Sequence, residues 1–310
     1  MSGQESETRY PAWLRYVNDH VRLLESGKSI LPGPSSAPLP TATSAAAGRP
    51  LRVVLCSPHP DDEALTGALP LRLRLELGAT VTNCAITLGS DITRRDGRLR
   101  ELESSGRVLG FDISIPQEPG GFEFVSVKTR TERPEAWAAM VRTLSTTFER
   151  LQPDVVFAPH ADDWHPAHIG AHFLAVDALS EFISRTQRGP IALIETSYWH
   201  EHAQPNLMVG VSPEDLAVLV MATAEHAGEV SRNAYHLRLP GRMIENVRRG
   251  AETVGGVGGS SPDFPFAELY RVTFMKGKHQ LPSRAGGRII GPDEKIDWAA
   301  LLDQFRPPEL

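Results

Sequence analysis

The stretch LRVVLCSPHPDDEALTG, Leu51 to Gly67, decides the fold. Its first six residues form an apolar run rich in β-branched side chains, the pattern of a strand buried on both faces. A histidine bracketed by prolines and three consecutive acids follow at once, and Glu63 to Gly78 then reads as a helix. A strand, a turn crowded with ionisable groups and a helix predict an α/β unit. Its chemistry belongs on the turn, because open α/β sheets bind ligands at the C-terminal ends of their strands.

Outward from that stretch the same alternation recurs. The runs LRVVLC, TVTNCAIT, DVVFAP and IALIET read as strands, separated by helical patterns such as EAWAAMVRTLSTTFERL. The expected fold class is therefore α/β, a Rossmann-like three-layer sandwich with a mostly parallel central sheet and its site at the C-terminal strand ends. FAELYRVTFM reads as one more strand, placed at an edge, and GAETVGGVGGSSPDFP as a flexible loop from Gly250 to Pro265. Ahead of the main unit, Trp13, Leu14, Val17, Val21 and Leu24 lie at near-helical spacing between Tyr10 and Ser26, so an amphipathic helix packed on the domain is expected. The Pro- and Ala-rich segment Leu31 to Pro50 reads as a linker. The resulting division is residues 1–50 as helix and linker, 51–287 as the main domain and 288–310 as a peripheral tail.

Composition narrows the function classes. The 310 residues are 41% hydrophobic, enough for a substantial core, and the net charge of -6 has Lys and Arg interspersed with Asp and Glu. No basic patch marks a nucleic-acid binder. Cys56 and Cys84 both sit in apolar runs, so two reduced core thiols are expected rather than a disulfide framework. The start MSGQESETRY has no signal-peptide pattern, and no run of about 18 apolar residues suggests a membrane span. These features predict a soluble cytoplasmic protein, with the oligomeric state left open.

On the first turn, His59 and Asp62 stand three positions apart, near enough to hold one ion, while Asp61 stays off it. The competing reading makes Asp61 and Asp62 helix caps, Glu63 a favourable first-turn acid and His59 an ordinary loop residue. Pro58 and Pro60 favour the ion, because they restrict the backbone that carries the imidazole. An acidic pair at a strand end also suits a phospho-acceptor receiver domain. A second group of metal-binding side chains separates the two, and FAPHADDWHPAHIGAHFLAV, Phe157 to Val176, supplies it. Pro166 fits the first helical position, with His165 as N-cap and His168 in the first turn. Two imidazoles, a carboxylate and one open position make a catalytic zinc site, and His59, Asp62 and His168 fit that set. His160 and His172 compete for it, and Asp162 and Asp163 read as solvated loop carboxylates, either of which could orient an imidazole.

PHPDDE followed by HPAH resembles the LmbE/PIG-L-type zinc-dependent N-deacetylases. Between these motifs, TLGSDITRRDGRLRELESSGRVLG resembles the family's intervening segment, and EHAGE and FAELYR look like weaker signatures, so the resemblance spans Leu51 to Met275. It implies that His59, Asp62 and His168 hold one Zn2+, or another divalent transition metal, and that Asp61 is the general base. By the same resemblance His165 stabilises or protonates the reacting centre, while Arg98 and His226 bind substrate. Two departures stand out. Ala167 replaces the Asp of a frequent HPDH, and SIPQEPGGFEFVSV offers only Glu118 and Glu123 where the family carries a further substrate-binding aspartate. The expected reaction is removal of the N-acetyl group from an N-acetylglucosamine-containing small molecule or glycoconjugate. A zinc amidase on a non-sugar N-acyl compound and a non-catalytic metal-binding scaffold are the alternatives.

Overall fold

In the computed structural model, residues 4–33 and 49–310 are described. The chain opens with α1 (Gln4–Gly27), then β1 (Arg52–Ser57), α2 (Asp62–Leu65), α3 (Ala68–Leu77), β2 (Thr80–Ala85), α4 (Arg95–Leu109) and β3 (Asp112–Ser114). It continues through α5 (Val127–Glu132), α6 (Pro134–Leu151), β4 (Val155–Pro159), α7 (Pro166–Thr186), β5 (Ile191–Thr196), β6 (Leu207–Gly210) and α8 (Pro213–Ala224). Last come α9 (Ala227–Val230), α10 (Tyr235–Thr253), β7 (Ala267–Lys276), β8 (His279–Pro282), β9 (Arg288–Ile290) and α11 (Trp298–Phe305). The sheet order is β3-β2-β1-β4-β5-β7-β6-β9, with β8 paired to β7. The first five strands run parallel and β7 runs antiparallel to both β5 and β6.

Both faces of the sheet are covered, which is why β1 reads as an unbroken apolar run. Val53 and Leu55 enter one core with Leu69, Leu219 and Met243, while Val54 and Cys56 enter the other with Phe148, Leu174 and Phe182. After β1 the chain moves outward through β2 and β3, then returns to the opposite side of β1 with β4. The C-terminal ends of β1 and β4 therefore flank a topological switch point, where the diverging connections leave a crevice.

Several local expectations change. The single helix expected from Glu63 to Gly78 is split between α2 and α3. In an unbroken helix the Thr66 carbonyl would need the amide of residue 70, which is proline and has none. The Tyr270 hydroxyl takes over, donating to the Thr66 carbonyl and accepting from the Leu69 amide, both at 2.9 Å. FAELYRVTFM is an interior strand, not an edge, because β6 and β9 extend the sheet beyond it. The expected loop begins later than Gly250: α10 continues to Thr253, and a side chain at Gly250 would meet Met208 Sδ at 2.5 Å.

The segment 288–310 is not peripheral. β9 pairs with β6, and Ile290, Ile296, Leu301 and Phe305 are buried in the main core. The fully buried Arg72 ties this segment down, donating to the carbonyls of Gly210, Gly291 and Glu294 and pairing with Glu76 at 2.6 Å. At the other end α1 forms, but Trp13, Leu14, Val17, Val21 and Leu24 are 43–65% exposed, so the expected packing of its apolar face is absent among the described residues. Most of the expected linker lies outside the described residues.

Candidate active site

The two motifs converge at the switch point. His59 and Asp62 come from the turn after β1, and His168 from the first turn of α7 after β4. His59 Nδ1 and His168 Nε2 lie 3.2 Å apart, and each is 3.5 Å from Asp62 Oδ2. Ligand atoms about 2.0–2.1 Å from a tetrahedral ion stand about 3.3–3.4 Å apart, so this triangle has the size one zinc ion requires. The donor set fits: two imidazoles and one carboxylate aimed at a common point, with His168 almost fully buried. His165 also brings a ring nitrogen within 4.8 Å of those of His59 and His168. Two trios that share His59 and His168, one completed by Asp62 and one by His165, are therefore candidates for a metal.

Electrostatics support this grouping. Burial would raise the Asp62 carboxyl, but His168 and His59 outweigh it and hold it below its usual value. Burial likewise opposes charge on His168, yet Asp62 and Asp163 prevail and raise the imidazole. Asp163 is buried rather than solvated. Its Oδ1 accepts the His165 amide at 2.8 Å and faces His168 Nδ1 at 3.7 Å, and its Oδ2 accepts the Trp199 amide at 3.2 Å. His168 Nδ1 is itself buried without a hydrogen-bond partner among the described residues, so a small movement toward Asp163 would complete the usual carboxylate–imidazole orientation. Tyr198 packs edge-on against the His168 ring with centroids 4.7 Å apart.

Asp61 stands apart from the triangle. It occupies the N-cap position of α2 with φ of 109° but makes no side-chain capping bond, and its Oδ1 lies 3.9 Å from Arg98 Nη2. Burial, reinforced by Asp62 and opposed by Arg98, pushes its carboxyl well above the usual range. His165 caps α7 as expected, accepting the Ala167 amide on Nδ1 at 3.2 Å. That bond fixes the neutral tautomer: the proton sits on Nε2. Burial, followed by the nearby His59 and His168, lowers the His165 imidazole and favours this neutral form.

Arg98 lines the same cleft of about 500 Å³, donating to the Pro60 carbonyl at 3.0 Å. Gly89, with φ of 91°, makes room for it, since a Cβ there would approach Arg98 Nη1 to 2.4 Å. Sequence reasoning missed much of the wall. Glu229 bonds to Arg94 at 2.6 Å and also pairs with Arg232, while Trp199 and Tyr235 form an edge-to-face pair at 5.5 Å. Of the two acids in SIPQEPGGFEFVSV, Glu123 reaches the cleft, held by Arg95 at 2.9 Å.

Other candidates lie elsewhere. His160 donates from Nε2 to the His200 carbonyl at 2.7 Å, and His172 donates from Nδ1 to the Pro159 carbonyl at 2.8 Å. His226 is fully buried and absent from the cleft wall, so the expected substrate contact is not formed; its Nε2 meets Glu63 Oε1 at 2.7 Å. Glu63, expected as a helix-starting acid, is likewise buried. Its burial penalty is overcome by His226 and Ser105, which hold its carboxyl below the usual value.

Fold and site define a doubly wound α/β protein with a cluster of potential metal ligands at its switch point. Residues 54–179 match the family described as PIG-L: GlcNAc-PI de-N-acetylase. It is similar to two proteins named 1D-myo-inositol 2-acetamido-2-deoxy-alpha-D-glucopyranoside deacetylase. The one from Corynebacterium diphtheriae is 31% identical over 39% of this chain and 50% of its own length. The one from Corynebacterium efficiens is 25% identical over 71% of this chain and 78% of its own. The match thus spans half the length of the first relative and more of the second. Among solved structures, conserved protein TT1542 from Thermus thermophilus aligns with a TM-score of 0.52 and 21% identity over 71% of this chain and 93% of that one. The zinc-inhibited form of teicoplanin deacetylase Orf2 gives 0.51 and 16% over 73% and 98%. These two likenesses concern the fold.

Proposed function

We propose that the protein is a zinc-dependent hydrolase that removes the N-acetyl group from an N-acetylglucosamine-containing small molecule or glycoconjugate. The observation that carries this reading is the triangle of His59, Asp62 and His168, with donor atoms 3.2–3.5 Å apart, beside a carboxylate that takes no part in it. These three residues would hold the ion. When bound, zinc supplies Lewis acidity toward the acyl oxygen and makes water acidic enough to ionise near neutral pH.

The chain's own groups complete the reaction. Asp61 accepts the proton of the attacking water. His165, protonated on Nε2 because Nδ1 is engaged, donates toward the acyl oxygen as negative charge develops there. Expulsion of the amine needs a proton on nitrogen, available from the Asp61 carboxyl once it has taken up the water proton in the first step. Arg98 and the Glu229 network present fixed polar groups to sugar hydroxyls, and Trp199 offers a ring face beside them.

The relatives' names support an acetamido-sugar substrate. The same reading takes Leu51 to the C-terminal helix as one catalytic unit, since β9 and α11 bury into its core. It places the enzyme in the cytoplasm, where the buried thiols of Cys56 and Cys84 stay reduced. Among the described residues no helix is long and apolar enough to cross a membrane. Metal analysis of the purified protein, then acetate release from N-acetylglucosaminyl inositol, other N-acetylglucosamine conjugates and simple N-acyl amines, tests the reading. Release from the amines alone would move the assignment to a non-sugar amidase. A zinc-loaded protein that releases nothing from any of them would be a metal-binding scaffold.

A further inference from the structure

Asp61 presents a positional problem. Its carboxylate accepts no hydrogen bond from the described residues, and the nearest cationic group among them, Arg98, is 3.9 Å away. The side chain is therefore placed by its backbone, which has φ of 109°, a conformation that non-glycine residues rarely hold without outside support. The support comes from Glu63. Its Oε2 accepts the Asp61 amide at 3.0 Å, and its Oε1 accepts from Ser105 Oγ at 2.6 Å and His226 Nε2 at 2.7 Å. Glu63 and His226 are both fully buried. One carboxylate thus joins α2, α4 and the turn between α8 and α9, and ends on the amide of Asp61.

We propose that Glu63, fixed by His226 and Ser105, is a positioning residue that sets Asp61 for proton transfer. This rests on the reading of Asp61 as the proton acceptor, and it gives new work to two residues. Glu63 does not merely start a helix, and His226 acts from behind the site instead of touching substrate. The reach is mechanical. Freed from Glu63, the Asp61 amide would be a buried donor without a partner, and relaxing its backbone would swing the carboxylate away from the metal triangle. A misplacement of about 1 Å can cost about 100-fold in rate.

α4 strengthens the case. It carries Arg98 into the cleft, and further along the same helix Ser104 and Ser105 bond to Glu225 and Glu63 at 2.6 Å each. The wall that holds substrate and the clamp behind the base are thereby parts of one helix.

The test combines Glu63→Gln, His226→Ala and His226→Gln with and without Asp61→Asn, assayed on N-acetylglucosaminyl inositol. A glutamine at position 63 cannot accept on both sides as a carboxylate does, so Glu63→Gln should lower kcat by about 10–100-fold, with KM within about twofold and zinc content unchanged. His226→Ala should behave similarly, and His226→Gln, whose amide can donate to Glu63, should recover most of the rate. In the Asp61→Asn background none of the three should lower kcat further, because the group being positioned is gone. Equal losses in both backgrounds, or losses that follow zinc content, would overturn the clamp while leaving the Asp61 reading intact. Undiminished turnover of Asp61→Asn alone would instead sink that reading. Where Glu63→Gln does not fold, Ser105→Ala removes one bond to the same carboxylate and takes its place. Crystal structures of zinc-loaded His226→Ala provide a readout independent of turnover: an unmoved Asp61 carboxylate would also overturn the proposal.

Discussion

Replacing Asp61 with asparagine separates proton transfer from metal binding more cleanly than any other single change at this site. The side chain accepts no hydrogen bond from the described residues, so its replacement deletes none, and it lies outside the triangle whose donor atoms are 3.2–3.5 Å apart. Asparagine is also better suited than alanine to φ of 109°, since a short amide side chain tolerates the left-handed region. Fold and zinc should therefore survive. Loss of a positioned general base costs about 10²–10⁴ in rate, which at about 1.36 kcal/mol per decade raises the barrier by about 2.7–5.5 kcal/mol. Metal content by mass spectrometry, melting temperature and the rate of acetate release from an N-acetylglucosamine conjugate measure the three quantities on one preparation. Near-normal turnover would refute the base assignment, and loss of zinc would show that Asp61 belongs to the metal set.

His168→Ala should lose zinc and turnover together; full retention of zinc would remove His168 from the ligand set. Gly89→Ala should cost about 1–3 kcal/mol of stability through its left-handed backbone and displace Arg98, raising KM for the sugar without changing zinc content. An unchanged KM would remove Arg98 from substrate binding. Phe305→Ala, at a side chain 1% exposed in the main core, should cost about 3–5 kcal/mol in urea unfolding; less than about 1 kcal/mol would show the C-terminal helix to be dispensable. Glu268, buried against Arg242, has its carboxyl pushed by burial from 4.5 to about 7. It is protonated in both states below 4.5, and as pH rises toward 7 the unfolded chain ionises first. Relative to Glu268→Gln, the protein should therefore lose about 3 kcal/mol between pH 4.5 and 7, and a pH-independent difference in unfolding free energy would contradict this.

What is legible in the sequence is whatever has a local pattern. The strand before PHPDDE announces itself because both its faces are buried, and HPAH announces its helix because Pro166 suits the first helical position. The bend between α2 and α3 is hidden because the group that completes it, the Tyr270 hydroxyl, arrives from 204 residues away. The C-terminal segment reads as peripheral for the same reason: Arg72, which anchors it, looks in the sequence like one more polar position on a helix. Within the site, spacing brings His59, Asp62 and His168 together, but no spacing tells that Glu229 and Trp199 line the cleft. They come from α9 and the loop after β5, and only the folded sheet makes them neighbours.

Three consecutive acids at the end of a buried strand would ordinarily be an electrostatic liability, since each raises the cost of ionising the next. The fold resolves this by giving each a different neighbour. Asp62 turns to two imidazoles at 3.5 Å, and Glu63 turns the opposite way to Ser105 and His226. Of the three, only Asp61 is left without a hydrogen-bonded partner among the described residues, and its carboxyl is accordingly the one pushed up. An ion in the triangle would draw it down again, toward the range in which a carboxylate can take a proton from water and return it. On the proposed reading the two later acids make the first available: Asp62 would help hold the metal beside Asp61, while Glu63 accepts the Asp61 amide at 3.0 Å and would fix the backbone beneath it.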